Sequence, residues 1–289
     1  MMEIVSAKGS FAGEVRGLSL WEALSDADAR ALRAAYRQHG VLVFRRQSLS
    51  EPELLAFGKA VGDPRLYAET HWQSTVPEVI LLSNMQDQNG AMLGGLANKP
   101  LTWHTDQSYY AVPVTGCFLY GVEVPSEGGG TRWASLYGAY ETLPAELKQA
   151  VEGAVATFSY RARSAGSAKA NDNHDWERRL RETPDVKHPL VNTNPATGRK
   201  ALFFDPGTVT GIDGMAQDEA DDLLERLLAH TVRPSNVYEH DWRPGDLVLW
   251  DNAAALHARD GFPNAENRLV KRMIIALDPT QHIIPPVAA

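Results

Sequence analysis

The sequence predicts a mainly β chain with flanking helices, built as a barrel or jelly roll. Short strand-like runs separated by turns recur beyond Trp103, at 117–124, 131–135, 155–161, 200–204, 246–250 and 268–277. Helical patterns interrupt them only near 143–152 and 217–230. No strand–helix alternation carries a glycine fingerprint, and Gly128-Gly129-Gly130 lacks the Lys-Ser/Thr of a phosphate loop, so it reads as a turn between two strands.

The first third is mixed. Ser25 is placed to cap a helix running to about His39, with Leu32 and Tyr36 on its apolar stripe and Gly40 as its stop. A strand, Val41-Leu42-Val43-Phe44, follows. Ser50 and Glu53 form a capping-box pattern with Pro52 in the first turn, which starts a second helix through about Val61. Val79 to Ser83 is a short apolar strand. The polar segment 162–188 is either a surface insertion or a lid over a substrate.

Composition narrows the function classes. The chain has 289 residues, 44% hydrophobic and 22% charged, enough to bury a core without disulfides. A formal charge of -8 argues against nucleic acid as a partner. The N-terminal residues form no signal peptide and no run is long enough to span a membrane, so a cytoplasmic location is expected. The single cysteine, Cys117, lies in an apolar run and reads as a buried structural thiol.

Three features point to chemistry. In Trp103-His104-Thr105-Asp106 an extended backbone turns His104 and Asp106 to one face, where an imidazole and a carboxylate can meet one ion. This spacing also arises by chance. Trp250-Asp251-Asn252 ends a strand and His257 follows; a lone histidine there is more often a hydrogen-bonded core or surface group than a ligand. In the run from Arg268 to Ile274, alternation places Arg268, Val270, Arg272 and Ile274 on one face, with Arg268 and Arg272 roughly 13 Å apart along the strand. They are either charges on a solvated edge or two anion hooks aimed inward. Taken together, two histidines and one carboxylate leave adjacent coordination sites open, the arrangement that suits non-haem Fe(II) oxygenases. Two sites can take a 2-oxo acid and a third O2, and the far carboxylate of that acid then needs a cation.

Set in order, these residues resemble the taurine/2,4-dichlorophenoxyacetate dioxygenase family (TauD/TfdA type). The matching segments are Gly40-Val41-Leu42-Val43-Phe44-Arg45, Trp103-His104-Thr105-Asp106, Gly129-Gly130-Thr131, His188-Pro189-Leu190, Gly198-Arg199-Lys200, Trp250-Asp251-Asn252, His257 and Arg268. The resemblance runs from about residue 10 to 280, so a single domain over 1–289 is expected.

The resemblance implies a double-stranded β-helix, a clavaminate synthase-like jelly roll. It implies that His104, Asp106 and His257 ligate Fe(II). Arg268, eleven residues after His257, would hold the distal carboxylate of 2-oxoglutarate with help from Thr131, and Trp250 would line the iron pocket. Arg272 would face a carboxylate or sulfonate of a small-molecule substrate, with Tyr67 or His71 as further substrate contacts. The implied reaction consumes O2 and 2-oxoglutarate, releases succinate and CO2, and oxidises a C–H bond. A carboxylate at Asp106, where halogenases of the wider fold carry a small residue, favours hydroxylation. Family members often form dimers or tetramers, so by analogy alone the resemblance allows a homo-oligomer. The segment Phe203-Phe204-Asp205-Pro206-Gly207-Thr208 departs from the Asn-rich turn of many relatives and leaves the substrate open. A zinc hydrolase-like enzyme and an inactive binding protein on the same fold are the alternatives.

Overall fold

The computed structural model describes residues 2–66, 72–95, 98–164 and 174–288. Tyr67, His71 and the centre of the 162–188 segment lie outside them, and so do the expectations placed there.

In chain order the strands are β1 (Glu3–Ser6), β2 (Gly13–Arg16), β3 (Val41–Phe44), β4 (Asp63–Arg65), β5 (Ile80–Ser83), β6 (Leu101–His104), β7 (Gly116–Glu123), β8 (Thr131–Ser135), β9 (Val155–Phe158), β10 (Val186–Pro189), β11 (Val191–Thr193), β12 (Lys200–Leu202), β13 (Val209–Ile212), β14 (Val237–His240), β15 (Leu247–Asp251), β16 (Ala255–Arg259) and β17 (Leu269–Ala276). The helices are α1 (Asp26–His39), α2 (Glu51–Val61), α3 (Leu136–Glu141), α4 (Ala145–Val151), α5 (Tyr160–Ser164), α6 (His174–Glu182) and α7 (Gln217–Thr231).

Local chemistry sets the early elements where the sequence placed them. The Ser25 hydroxyl accepts from the Asp28 amide to start α1, and Gly40 ends it in the left-handed region at φ 68°. The Ser50 amide donates to Glu53 at 2.7 Å and the Glu53 amide returns to the Ser50 hydroxyl, closing the capping box of α2. One expected strand is shorter: β9 stops at Phe158 and the chain turns into α5.

Two sheets make the jelly roll. The larger runs β1-β2-β3-β15-β7-β17-β4, with β5 also pairing β17; the smaller runs β14-β8-β16-β6. Alternation decides which side chains face between them. On β3, Val41 and Val43 join Cys117, Trp133, Tyr238, Val248 and Trp250 in the interior, while Leu42 and Phe44 join Phe118, Leu249 and Met273 in a separate outer core with residues of α1 and α2. A third core holds residues of α3, α4 and α7 around Phe158, Phe203 and Phe204. β17 pairs with β7 on one side and with β4 and β5 on the other. Arg268 and Arg272 are 1% and 9% exposed, so the solvated-edge alternative is excluded. Among the described residues no helix is long and apolar enough to cross a membrane.

Candidate metal centre

β6 and β16 pair so that His104 stands directly opposite His257. Their rings lie 4.1 Å apart, and Asp106 follows two residues after His104. His104 Nε2 is 3.8 Å from Asp106 Oδ1, and His257 Nε2 is 3.5 Å from Asp106 Oδ2. One ligand atom from each residue fits within 4.8 Å of the others, the only such cluster of histidine, cysteine and acidic groups among the described residues.

Contacts within the chain orient each group. His104 Nδ1 lies 2.7 Å from the Thr102 carbonyl, which fixes the ring with its proton on Nδ1 and the Nε2 lone pair facing inward. His257 Nδ1 is buried with no hydrogen-bond partner, so its ring is set by packing against Trp250 at 5.1 Å and His104. Asn252 fastens the Asp106 backbone at both ends: its Oδ1 accepts the Asp106 amide at 3.0 Å and its Nδ2 donates to the Asp106 carbonyl at 2.9 Å. The Asn252 carbonyl takes the Thr105 hydroxyl at 2.6 Å, and its Nδ2 also reaches the Val114 carbonyl.

The protonation states suit metal ligands. Burial lowers the pKa of His104, with Asp106 pulling the other way; burial and then the like charge of His104 lower that of His257 well below its ordinary value. Both rings are therefore neutral at pH 7. Burial pushes the Asp106 carboxyl up, but the Arg272 guanidinium beside it opposes this, and the carboxyl lies well below the carboxylate range. Arg272 Nη2 donates to Asp106 Oδ2 at 2.8 Å. Cys117 is buried beside both, 3.9 Å from Asp106 Oδ2, and burial raises its thiol, so it forms wall rather than nucleophile.

Arg268 completes the picture from just before β17. It is one of the largest fully buried side chains, yet its Nε has no acceptor and no carboxylate lies within 4.0 Å of its guanidinium among the described residues. Burial, then the like charge of Arg259, lower it to about 9, still cationic at neutral pH. An orphaned buried guanidinium is costly unless a ligand supplies the counter-charge. Thr131 is the register partner of Arg259 across β8 and β16, and its hydroxyl accepts from Trp242 at 2.9 Å, which leaves the hydroxyl proton to donate.

Sequence reasoning missed three neighbours. Arg259 lies two residues after His257 and is 4% exposed; alternation along β16 was the available signal. Arg163, on α5, places Nη1 3.3 Å from where a Cβ on Gly207 would sit, and its charge reaches His104, Asp106 and His257. Asp205 is fully buried behind His104, where it accepts from Ser108 at 3.1 Å and from the Gly207 amide at 2.8 Å. No local pattern announces the last two. His188 is structural: its nitrogens meet the Pro286 and Tyr110 carbonyls at 2.8 and 3.0 Å.

Comparison with known proteins agrees with this geometry. The family model described as taurine catabolism dioxygenase TauD, TfdA family matches residues 4–274. A pentalenolactone F synthase of Streptomyces avermitilis is 31% identical, with 96% of this chain and 95% of the relative covered. The (S)-phenoxypropionate/alpha-ketoglutarate-dioxygenase of Sphingobium herbicidovorans is also 31% identical, covering 96% of each. Among solved structures, AAD-2 in complex with Mn(II) and N-oxalylglycine superposes with a TM-score of 0.79 at 27% identity, over 96% of this chain and 98% of that one. The chain therefore belongs to the TauD/TfdA family and is an oxidoreductase, a 2-oxoglutarate-dependent dioxygenase.

Proposed function

We propose that His104, Asp106 and His257 hold Fe(II), that Arg268 and Thr131 hold the distal carboxylate of 2-oxoglutarate, and that the substrate is a small organic anion with an apolar body. The observation that carries this is Arg268, buried and without a counter-charge among the described residues, in the same barrel as the ligand cluster. Such a guanidinium suits the far carboxylate of a dicarboxylate cosubstrate, which it can grip bidentately.

When bound, iron with 2-oxoglutarate and O2 supplies the oxidising power and releases succinate and CO2. The chain's own residues do the rest. His104 and His257 present Nε2, and Asp106 presents a carboxylate oxygen while Arg272 holds the other. Arg268 and Thr131 orient the cosubstrate by its far end. Trp250, 1% exposed, keeps water from the ring of His257.

The substrate side rests on charge and shape. A cleft of about 450 Å³ opens beside Gln107, the residue after Asp106, and Val112, Val114, Ile274 and Ile284 contribute to its lining. Ile274 is two residues beyond Arg272 on the same face of β17. The cleft contains none of the three ligands, so it is read as the seat for the apolar body rather than as the reacting centre. Arg272 is the anion anchor, beside the Asp106 oxygen to which its Nη2 donates. A relative named for (S)-phenoxypropionate accords with an anionic head on an apolar body.

The test is succinate release from 2-oxoglutarate by the Fe(II)-loaded enzyme in air, across aryloxy acids, aliphatic carboxylates, sulfonates and sulfate esters. Stimulation by an acid with an apolar body is expected. Stimulation only by small polar sulfonates would overturn the substrate class, and absence of succinate from folded, metal-loaded protein would overturn the reaction.

A further inference from the structure

The barrel holds a second group of buried polar side chains that the dioxygenase reading does not use. β14 carries Tyr238 and His240 two residues apart on its inner face, 1% and 0% exposed. Tyr238 Oη lies 2.8 Å from His240 Nδ1. His240 Nε2 comes within 3.3 Å of Asp246 Oδ2, without the alignment of a hydrogen bond. That same oxygen accepts from the Arg243 amide at 2.9 Å and from Arg45 at 2.5 Å. Burial lowers the His240 pKa ahead of the opposing pull of Asp246, so the ring is neutral. A carboxylate beside Nε2 favours the tautomer with its proton there, which leaves Nδ1 as the acceptor for the phenol.

A path of rings joins this cluster to the metal ligands. Tyr238 stacks on Trp133 with centroids 6.3 Å apart, Trp133 meets Trp250 at 5.7 Å, and Trp250 meets His257 at 5.1 Å. The three aromatic residues come from β14, β8 and β15, so register and sheet packing bring them together. Trp133 is fully buried and its indole N–H has no acceptor, so no hydrogen bond accounts for its place. Closely spaced oxidisable rings pass electrons far more readily than saturated side chains of the same length. At the far end Asp246 and Arg45 line a surface cleft of about 530 Å³, so the path ends near solvent.

We propose that Trp250, Trp133 and Tyr238 form an electron relay that drains an oxidising equivalent from the metal centre when no substrate is in place, with His240 taking the phenol proton. The proposal rests on the dioxygenase reading. One electron leaves Tyr238, passes through Trp133 and Trp250, and reduces by one electron the oxidant formed from O2 and 2-oxoglutarate. The Tyr238 O–H bond breaks and an N–H bond forms at His240 Nδ1, where Asp246 stabilises the imidazolium. A one-electron reductant of the enediol class in solution returns the electron, and His240 returns the proton. The strand geometry thus spares the ligand-bearing residues from self-oxidation.

The experiment exposes the full-length enzyme, loaded with Fe(II) and 2-oxoglutarate but without primary substrate, to O2. Samples are frozen for electron paramagnetic resonance, digested for mass mapping of oxidised residues, and assayed for 2-oxoglutarate consumed. Wild type is expected to give a tyrosyl signal that changes shape with ring-deuterated tyrosine. Tyr238→Phe, which keeps the ring, should lose that signal and gain several-fold more oxygen on Trp250 or Trp133 per 2-oxoglutarate consumed. Trp133→Phe should also lose the signal although Tyr238 is intact, so either variant suffices if the other fails to fold. Consumption of 2-oxoglutarate with no tyrosyl signal, or with the same oxidation pattern in all three proteins, overturns the relay. No consumption overturns the relay alone, because the dioxygenase reading is tested separately by succinate release in the presence of an organic acid substrate.

Discussion

The two buried polar clusters of the barrel differ in how their charges are balanced. At the far end Asp246 is matched within the chain, by Arg45 and the Arg243 amide. At the metal end, two neutral histidines and a carboxylate converge on one point, and Arg268 has no carboxylate within 4.0 Å among the described residues. Both clusters are buried, so burial alone does not mark a ligand site. A charge left for something outside the chain to balance does.

The largest way to break this contrast is to remove a ligand. Asp106→Ala or His104→Ala should weaken Fe(II) or Mn(II) binding by more than about 100-fold, since even residues that only orient ligands cost 10–100-fold. Anaerobic titration calorimetry reads this, and near-normal metal binding would end the assignment. Next comes a paired test. Arg268→Ala should raise the dissociation constant for 2-oxoglutarate about 100-fold, the effect of about 3 kcal/mol for stripping the partner of a buried charge, with metal affinity little changed. Arg45→Ala at the other end should do the reverse, leaving 2-oxoglutarate affinity intact while lowering unfolding free energy by about 2 kcal/mol, less than a fully buried pair because Arg45 is partly exposed. Swapped outcomes would mean the clusters have been assigned backwards.

A smaller effect concerns pH. The His240 pKa is lowered on folding, so the native state stays neutral while the unfolded chain takes up a proton. Its contribution to stability is therefore flat above the unfolded value of about 6.5 and falls as pH drops below it. Wild type should lose more melting temperature between pH 7 and 5 than His240→Gln; parallel curves would show that the ring is protonated in the fold. The smallest effect is a control away from both clusters. Ser50→Ala removes the cap of α2 and should cost about 1 kcal/mol, a few degrees of melting temperature, with no change in either ligand's affinity.

Much of this was legible because it is local. Ser25, Gly40, Ser50 and Glu53 act on their own helices, and the spacing of His104 with Asp106 or Arg268 with Arg272 is a property of one extended run. The strand that carries His257 was harder to read. β16 contains Ala255-Leu256-His257-Ala258-Arg259, weak β-formers held extended by β8 and β6 on either side. Missing that strand meant missing Arg259, which alternation places with His257. Tyr238, His240 and Asp246 left no pattern at all, because their meaning comes from β14 lying beside β8 and from the turn that brings Asp246 back beneath His240. Arg163 and Asp205 meet around Gly207 for the same reason: a helix and a loop from distant parts of the chain close on one point.

The Asn252 clamp has a practical consequence. Because that one side chain bonds both the amide and the carbonyl of Asp106 to the end of β15, the ligand loop is tied to the scaffold by contacts that need no ion. Metal loading is then an exchange reaction on a finished scaffold rather than a folding event. Protein purified with the wrong cation should release it to a chelator, stay folded, and accept Fe(II) again without passing through a denatured state.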